Sequence, residues 1–121
     1  MIASVSRSIF RKFSTEPVTK YTLPELKYGY GELEPVISSK LLEIHHKKHH
    51  NTYVTNLNNA LEQFEGIRFI LNVEAKENFD YSKMASLCQT IKFNLGGHIN
   101  HSIYWKNLAP IGQGGGEFPD Q

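Results

Sequence analysis

All six histidines of the chain fall in two short windows, His45, His46, His49 and His50 in one and His98 and His101 in the other. Imidazole is the commonest metal ligand and changes charge near neutral pH, so such clustering points to metal or proton chemistry. On a helix, His45 and His49 share one face and His46 and His50 share another, because residues four apart are neighbours. The first pair lies on the line Leu42, His45, His49, Tyr53, Leu57, Ala60, Phe64 and is expected to point inward. His46 and His50 stand about 100° further round and are expected on the flank. A buried imidazole needs a partner. Neutral imidazole suits manganese, iron, zinc and copper alike, and the same spacing also serves structural histidines. Two windows on helices able to pack antiparallel favour one shared site. A redox metal would also require a carboxylate and a further nitrogen, and no acid sits beside His101 in the sequence. Tyr53, eight residues past His45, can donate from its phenol to a bound water or anion. Trp105, one turn past His101, can wall the same cavity; both aromatics also fit an ordinary core.

The elements that must position these residues are helical. Residues 19–36 contain two prolines and two glycines and read as an irregular arm, with Tyr21, Leu23, Leu26, Tyr28 and Tyr30 available to pack on a core. Ser38 or Ser39 can cap a helix that runs from Lys40 to about Glu65, with Gly66 as its stop. Residues 67–80 show no clear period. Asp80 can cap a second helix whose apolar face is Met84, Leu87, Cys88 and Ile91. Gly96-Gly97 is expected to interrupt or kink that helix before it continues to Leu108. Pro110 and the glycine run 112–116 have linker composition.

The bulk composition narrows the function classes. The chain has 121 residues with 40% apolar content, enough for one small domain. No stretch approaches the roughly 18 apolar residues of a membrane span. Residues 1–15 hold Arg7, Arg11 and Lys12, no acid and several serines, with Ile2, Val5, Ile9 and Phe13 on one helical face. That is the pattern of a mitochondrial presequence ending near Phe13, and it implies a matrix protein. The whole chain carries +1, so losing these three cations would leave −2, which argues against nucleic acid as the main partner. The single cysteine, Cys88, can form no internal disulfide and is expected to fill a core position.

Four blocks resemble the iron/manganese superoxide dismutase family. They are Leu23–Pro35 (LPELKYGYGELEP), His45–Val54 (HHKKHHNTYV), Gly96–Trp105 (GGHINHSIYW), and Asn107–Pro110 followed by Gly114–Glu117. They cover about residues 21–118 in the family's order. The resemblance implies a mainly α fold, the long antiparallel helical hairpin that forms the family's amino-terminal domain. It places presequence at 1–15, the hairpin domain at 16–111 and the start of an interdomain linker at 112–121.

By the same resemblance His45 and His101 match two metal ligands. His49 and Tyr53 match the pair that gates substrate entry and relays protons, and Trp105 matches a pocket-wall aromatic. Gly97 stands where iron-type members tend to carry glutamine, which favours manganese over iron. The implied reaction converts two superoxide anions and two protons to oxygen and hydrogen peroxide, with Lys47 and Lys48 as candidates for drawing in the anion. The full-length family forms homo-oligomers. The remaining two ligands, an Asp and a His, belong to a carboxy-terminal α/β domain that these residues do not include. The chain therefore reads as the amino-terminal half, expected to have little activity alone and an uncovered apolar face. The competing reading is a non-catalytic protein that uses the hairpin as a structural or binding module. Imidazoles on inward stripes argue against it.

Overall fold

The computed structural model describes residues 19–73 and 79–116, so the presequence read at 1–15 lies outside the described residues. The first helical stretch starts where Ser38, in extended backbone, accepts a hydrogen bond from the Leu41 amide on its hydroxyl oxygen at 3.3 Å. This cap satisfies one of the amides that a helix start leaves unpaired. Helix α1 (Ser39–Glu43) runs into a π-helical segment (Ile44–His50) and then into α2 (Asn51–Val73). At the junction the Asn51 amide donates to the carbonyl of His46, five residues back, the signature of a π turn.

Gly66 does not stop this helix, and residues 67–73 continue it. A glycine stop works through positive φ, and among the described residues only Gly112, Gly114 and Gly116 have it. Gly66 instead takes helical angles at the usual entropic cost of about 1 kcal/mol. Helix α3 (Tyr81–Lys106) begins at Asp80, whose side chain accepts from the Lys83 amide at 2.9 Å. It runs through Gly96-Gly97 without the expected interruption.

The two long helices lie against each other and bury Val54, Leu57, Ala60 and Leu87 between them. Full burial of a valine or leucine side chain stabilises by roughly 1.5–3 kcal/mol. Of the apolar face assigned to the second helix, Leu87 is buried, Met84 and Ile91 are half-buried, and Cys88 is exposed. The Cys88 expectation therefore fails: Leu87 takes the position facing α2, and its neighbour is turned away from the contact.

The arm packs on the other end of the hairpin. Tyr28, Leu33, Leu42 and Trp105 form one buried cluster, flanked by Leu26, Tyr30, Ile37 and Leu108. The Tyr28 hydroxyl donates to the Trp105 carbonyl at 3.0 Å, partnering an acceptor in the last turn of α3. Burial, and then the nearby Tyr104, raise the Tyr28 pKa above the usual phenol value. Asn58 fastens the start of the arm: its Oδ1 accepts from the Tyr21 amide at 2.9 Å, and its Nδ2 donates to the Tyr21 carbonyl at 2.8 Å. Past α3, the stretch with linker composition is a tight turn as far as Gly116. The amides of Gln113 and Gly115 both donate to the Pro110 carbonyl. A Cβ on Gly115 would collide with the backbone carbonyl of Ala109. Among the described residues there is no strand beyond the isolated bridge between Ile111 and Gly115.

Candidate metal centre

The π segment carries all four histidines of the first window, and α3 carries the other two. The wider turn shifts the buried line of the first helix. His46 and His50 are buried, His50 completely, whereas His45 is half-buried and His49 exposed. This reverses the sequence assignment of an inward His45/His49 pair and a flanking His46/His50 pair. That assignment holds for a straight 3.6-residue helix, and the π turn under-winds the chain where the histidines sit. The line that faces α3 and the arm is Leu42, His46, His50, Val54, Leu57.

His46 belongs to the scaffold. Its Nε2 lies 2.8 Å from the Pro24 carbonyl and its Nδ1 lies 2.8 Å from the Tyr30 hydroxyl. A carbonyl only accepts, so Nε2 carries a proton and donates, and a neutral ring accepts from Tyr30 on Nδ1.

His45 and His101 come together from different helices, with ring centroids 5.0 Å apart and planes at 84°. His101 Nδ1 lies 2.8 Å from the Gly97 carbonyl, one turn back on α3, and donates to it. In the neutral ring this leaves Nε2 as a free lone pair, the arrangement by which a backbone carbonyl orients a metal-binding imidazole. The pKa of His45 is lowered, first by burial and then by the neighbouring His101, His49 and His46. It is therefore neutral at physiological pH, as a ligand must be.

Aromatic side chains flank the pair. Trp105 packs edge-on against His45 at 4.9 Å, and Tyr104 lies 5.3 Å from the same ring. Tyr53 is 5.2 Å from His101, and His49 stands edge-on to His45 at 6.0 Å. Tyr53 and Gly97 also border an open groove of about 460 Å³ with Phe93, Lys92 and Asn100. Tyr53 can lie there because Gly97 has no side chain: a Cβ at this position would fall into the Tyr53 ring.

The donor set fits a transition metal in part. It offers two imidazoles, one oriented through its second nitrogen. Among the described residues no group of three or more His, Cys, Asp and Glu side chains is placed to hold a metal ion. Lys47 is less free than its sequence suggests. Its ammonium bonds Glu43 at 2.7 Å and sits 5.0 Å above the Tyr30 ring, and the bond to Glu43 raises its pKa.

Sequence reasoning missed the roles of His50 and His98. Trp105 Nε1 donates to His50 Nδ1 at 2.9 Å, and His50 Nε2 lies 2.9 Å from His98 Nδ1. Burial pushes the His50 pKa down to about 4, with His98, His101 and His46 adding to the effect; burial also lowers that of His98. A signal was present: His98 and Trp105 are seven residues apart, two turns of one helix face. Tyr104 was missed too, and adjacency to Trp105 alone would not have revealed it.

Among the described residues no helix is long and apolar enough to cross a membrane. The chain is 48% identical to the mitochondrial Mn superoxide dismutase 1 of Arabidopsis thaliana over 98% of its own length and 48% of that protein. It is 52% identical to the mitochondrial Mn superoxide dismutase 3.1 of Zea mays, over 88% of this chain and 42% of the relative. For the mitochondrial Mn superoxide dismutase of Aspergillus fumigatus the figures are 53%, 81% and 43%. The chain thus spans about half the length of the curated relatives it matches. The family model described as iron/manganese superoxide dismutases, alpha-hairpin domain, matches residues 20–109. The helical hairpin and the blocks that run along it thus make this chain a member of the iron/manganese superoxide dismutase family.

Proposed function

We propose that the protein disproportionates superoxide to oxygen and hydrogen peroxide, with manganese held in part by His45 and His101. One observation carries this reading: two imidazole rings from separate helices have centroids 5.0 Å apart, and the second donates from Nδ1 to the Gly97 carbonyl, which turns Nε2 outward as the ligand nitrogen. The manganese of the relatives' names supports that metal over iron. When bound, it supplies the one-electron couple that both halves of the reaction need.

This chain's own residues bind and orient. His45 and His101 supply ligand nitrogens, and Trp105 and Tyr104 pack against the His45 ring. Tyr53 offers a phenolic proton on the groove side of His101, and His49, one turn before it on the open flank, exchanges protons with solvent. Lys48 is the better candidate for attracting the anion, because Glu43 offsets the charge of Lys47. The remaining ligands lie outside the described residues.

Residues 1–15 serve in this reading as a matrix presequence cut near Phe13, residues 16–111 as the hairpin domain, and 112–121 as the start of a linker. The match to a relative named mitochondrial covers 118 residues and so reaches into the basic segment, which supports that assignment. The native assembly is a homo-oligomer. Import into isolated mitochondria should shorten the chain by about the length of the basic segment; import at unchanged mass would remove the presequence.

The test of the site is titration of the chain with manganese(II) chloride, followed by calorimetry. The unsubstituted chain is expected to bind, and His45→Ala and His101→Ala to lose binding while keeping their helical circular dichroism. Undiminished binding by either variant would overturn the assignment.

A further inference from the structure

His50, His98 and Trp105, which the proposed ligand set does not use, form a directed hydrogen-bond chain. An indole N–H can only donate. Since Trp105 Nε1 donates to His50 Nδ1 at 2.9 Å, that nitrogen carries a lone pair. Neutral His50 then holds its proton on Nε2 and donates to His98 Nδ1, also at 2.9 Å. His98 in turn carries its proton on Nε2. Such a chain does not conduct protons, because its inner end is an indole that neither takes up nor gives up a proton at neutral pH. What it does fix is orientation.

Both rings of the proposed ligand pair lean on this unit. The His50 ring, fully buried, stacks on His101 at 5.1 Å with planes 23° apart. Trp105, held by His50, packs edge-on against His45 at 4.9 Å. We propose that His50 is a positioning residue for the metal centre: its Nδ1 locks the Trp105 indole against His45, and its ring face sets the plane of His101. This inference rests on the reading of His45 and His101 as ligands.

The chain's single tryptophan makes the proposal measurable. In the unsubstituted chain at neutral pH, nitrogen-15 spectra are expected to show His50 protonated on Nε2 alone. A protonated Nδ1 would overturn the proposal without any variant. His50→Phe keeps a flat ring but offers no acceptor. It is expected to leave the helices intact, shift the Trp105 indole N–H resonance and emission, and weaken manganese(II) binding about 10- to 100-fold, the range for loss of an orienting partner. His50→Asn, whose amide oxygen falls near the Nδ1 position, should restore the Trp105 resonance and part of the affinity. His50→Gln, which reaches the Nε2 position instead, should not. If His50→Phe does not fold, Trp105→Phe tests the same bond, because His50 Nδ1 should then become partly protonated. Unchanged manganese affinity in folded His50→Phe would overturn the positioning role. If the unsubstituted chain binds no manganese(II), the ligand reading fails by itself. The nitrogen-15 spectra and Trp105 emission then decide, without metal, whether His50 locks the indole.

Discussion

A methyl group added at Gly97 would have to share the space of the Tyr53 ring, whereas one added at Gly96 would meet nothing within 4 Å. Both residues are in the middle of α3, where alanine is favoured over glycine by about 1 kcal/mol. Gly96→Ala is therefore expected to raise stability by up to about that amount in urea unfolding. Gly97→Ala gains the same propensity but overpacks the site, at a cost of about 1–3 kcal/mol. The expected net result is a loss of stability and a displaced Tyr53, seen as a changed ring environment in proton spectra. Equal stabilisation by both substitutions would mean that Tyr53 does not need the bare backbone at Gly97.

At the scale of elements, the cap and the glycine give opposite expectations. Asp80→Ala removes the acceptor of the Lys83 amide and should destabilise by about 1 kcal/mol. Gly66→Ala should stabilise by up to about 1 kcal/mol, since Gly66 is helical and a Cβ there meets nothing. Denaturant midpoints for the two variants check both signs. The caps at Ser38 and Asp80 were legible in the sequence, because capping depends on local hydrogen bonds. So was the pairing of the two histidine windows, because family blocks and helical spacing agreed on it. The helix ends were not. Gly66 and Gly96-Gly97 looked like breaks, but tertiary packing along the hairpin outweighs a penalty of this size. Nor was the buried face, since it follows the π turn and no residue type announces that turn. Cys88 was misplaced for a similar reason: it neighbours Leu87, and a rotation of one residue decides which of the two meets α2.

For the whole molecule, charge and exposure set the behaviour of the metal-free chain. His45, His50 and His98 all have lowered pKa values, so the folded chain resists protons that the unfolded chain accepts. Their stabilising effect is complete above the ordinary histidine value near 6.5 and is lost as pH falls through the folded values, down to about 4 for His50. The urea midpoint is expected to be flat above neutrality and to drop steadily through mildly acidic pH. A midpoint that rises on acidification would reverse the assigned directions. The chain also exposes Leu41, Phe69, Ile70, Phe93 and Ile103, so it should bind an apolar dye such as anilinonaphthalene sulfonate while still folded.

The π turn has a consequence for how the chain tolerates changes in length. It stores one residue more than regular winding would need, and each residue advances an α-helix by about 100°. Deleting one residue between Ile44 and His50 would let the ladder continue unbroken, so helicity would survive. The phase between the two ends would not: with Leu42 anchored to the arm and Leu57 to α3, His45 could no longer meet His101. Length here acts as an angular setting, and a single-codon deletion would separate folding from assembly of the centre.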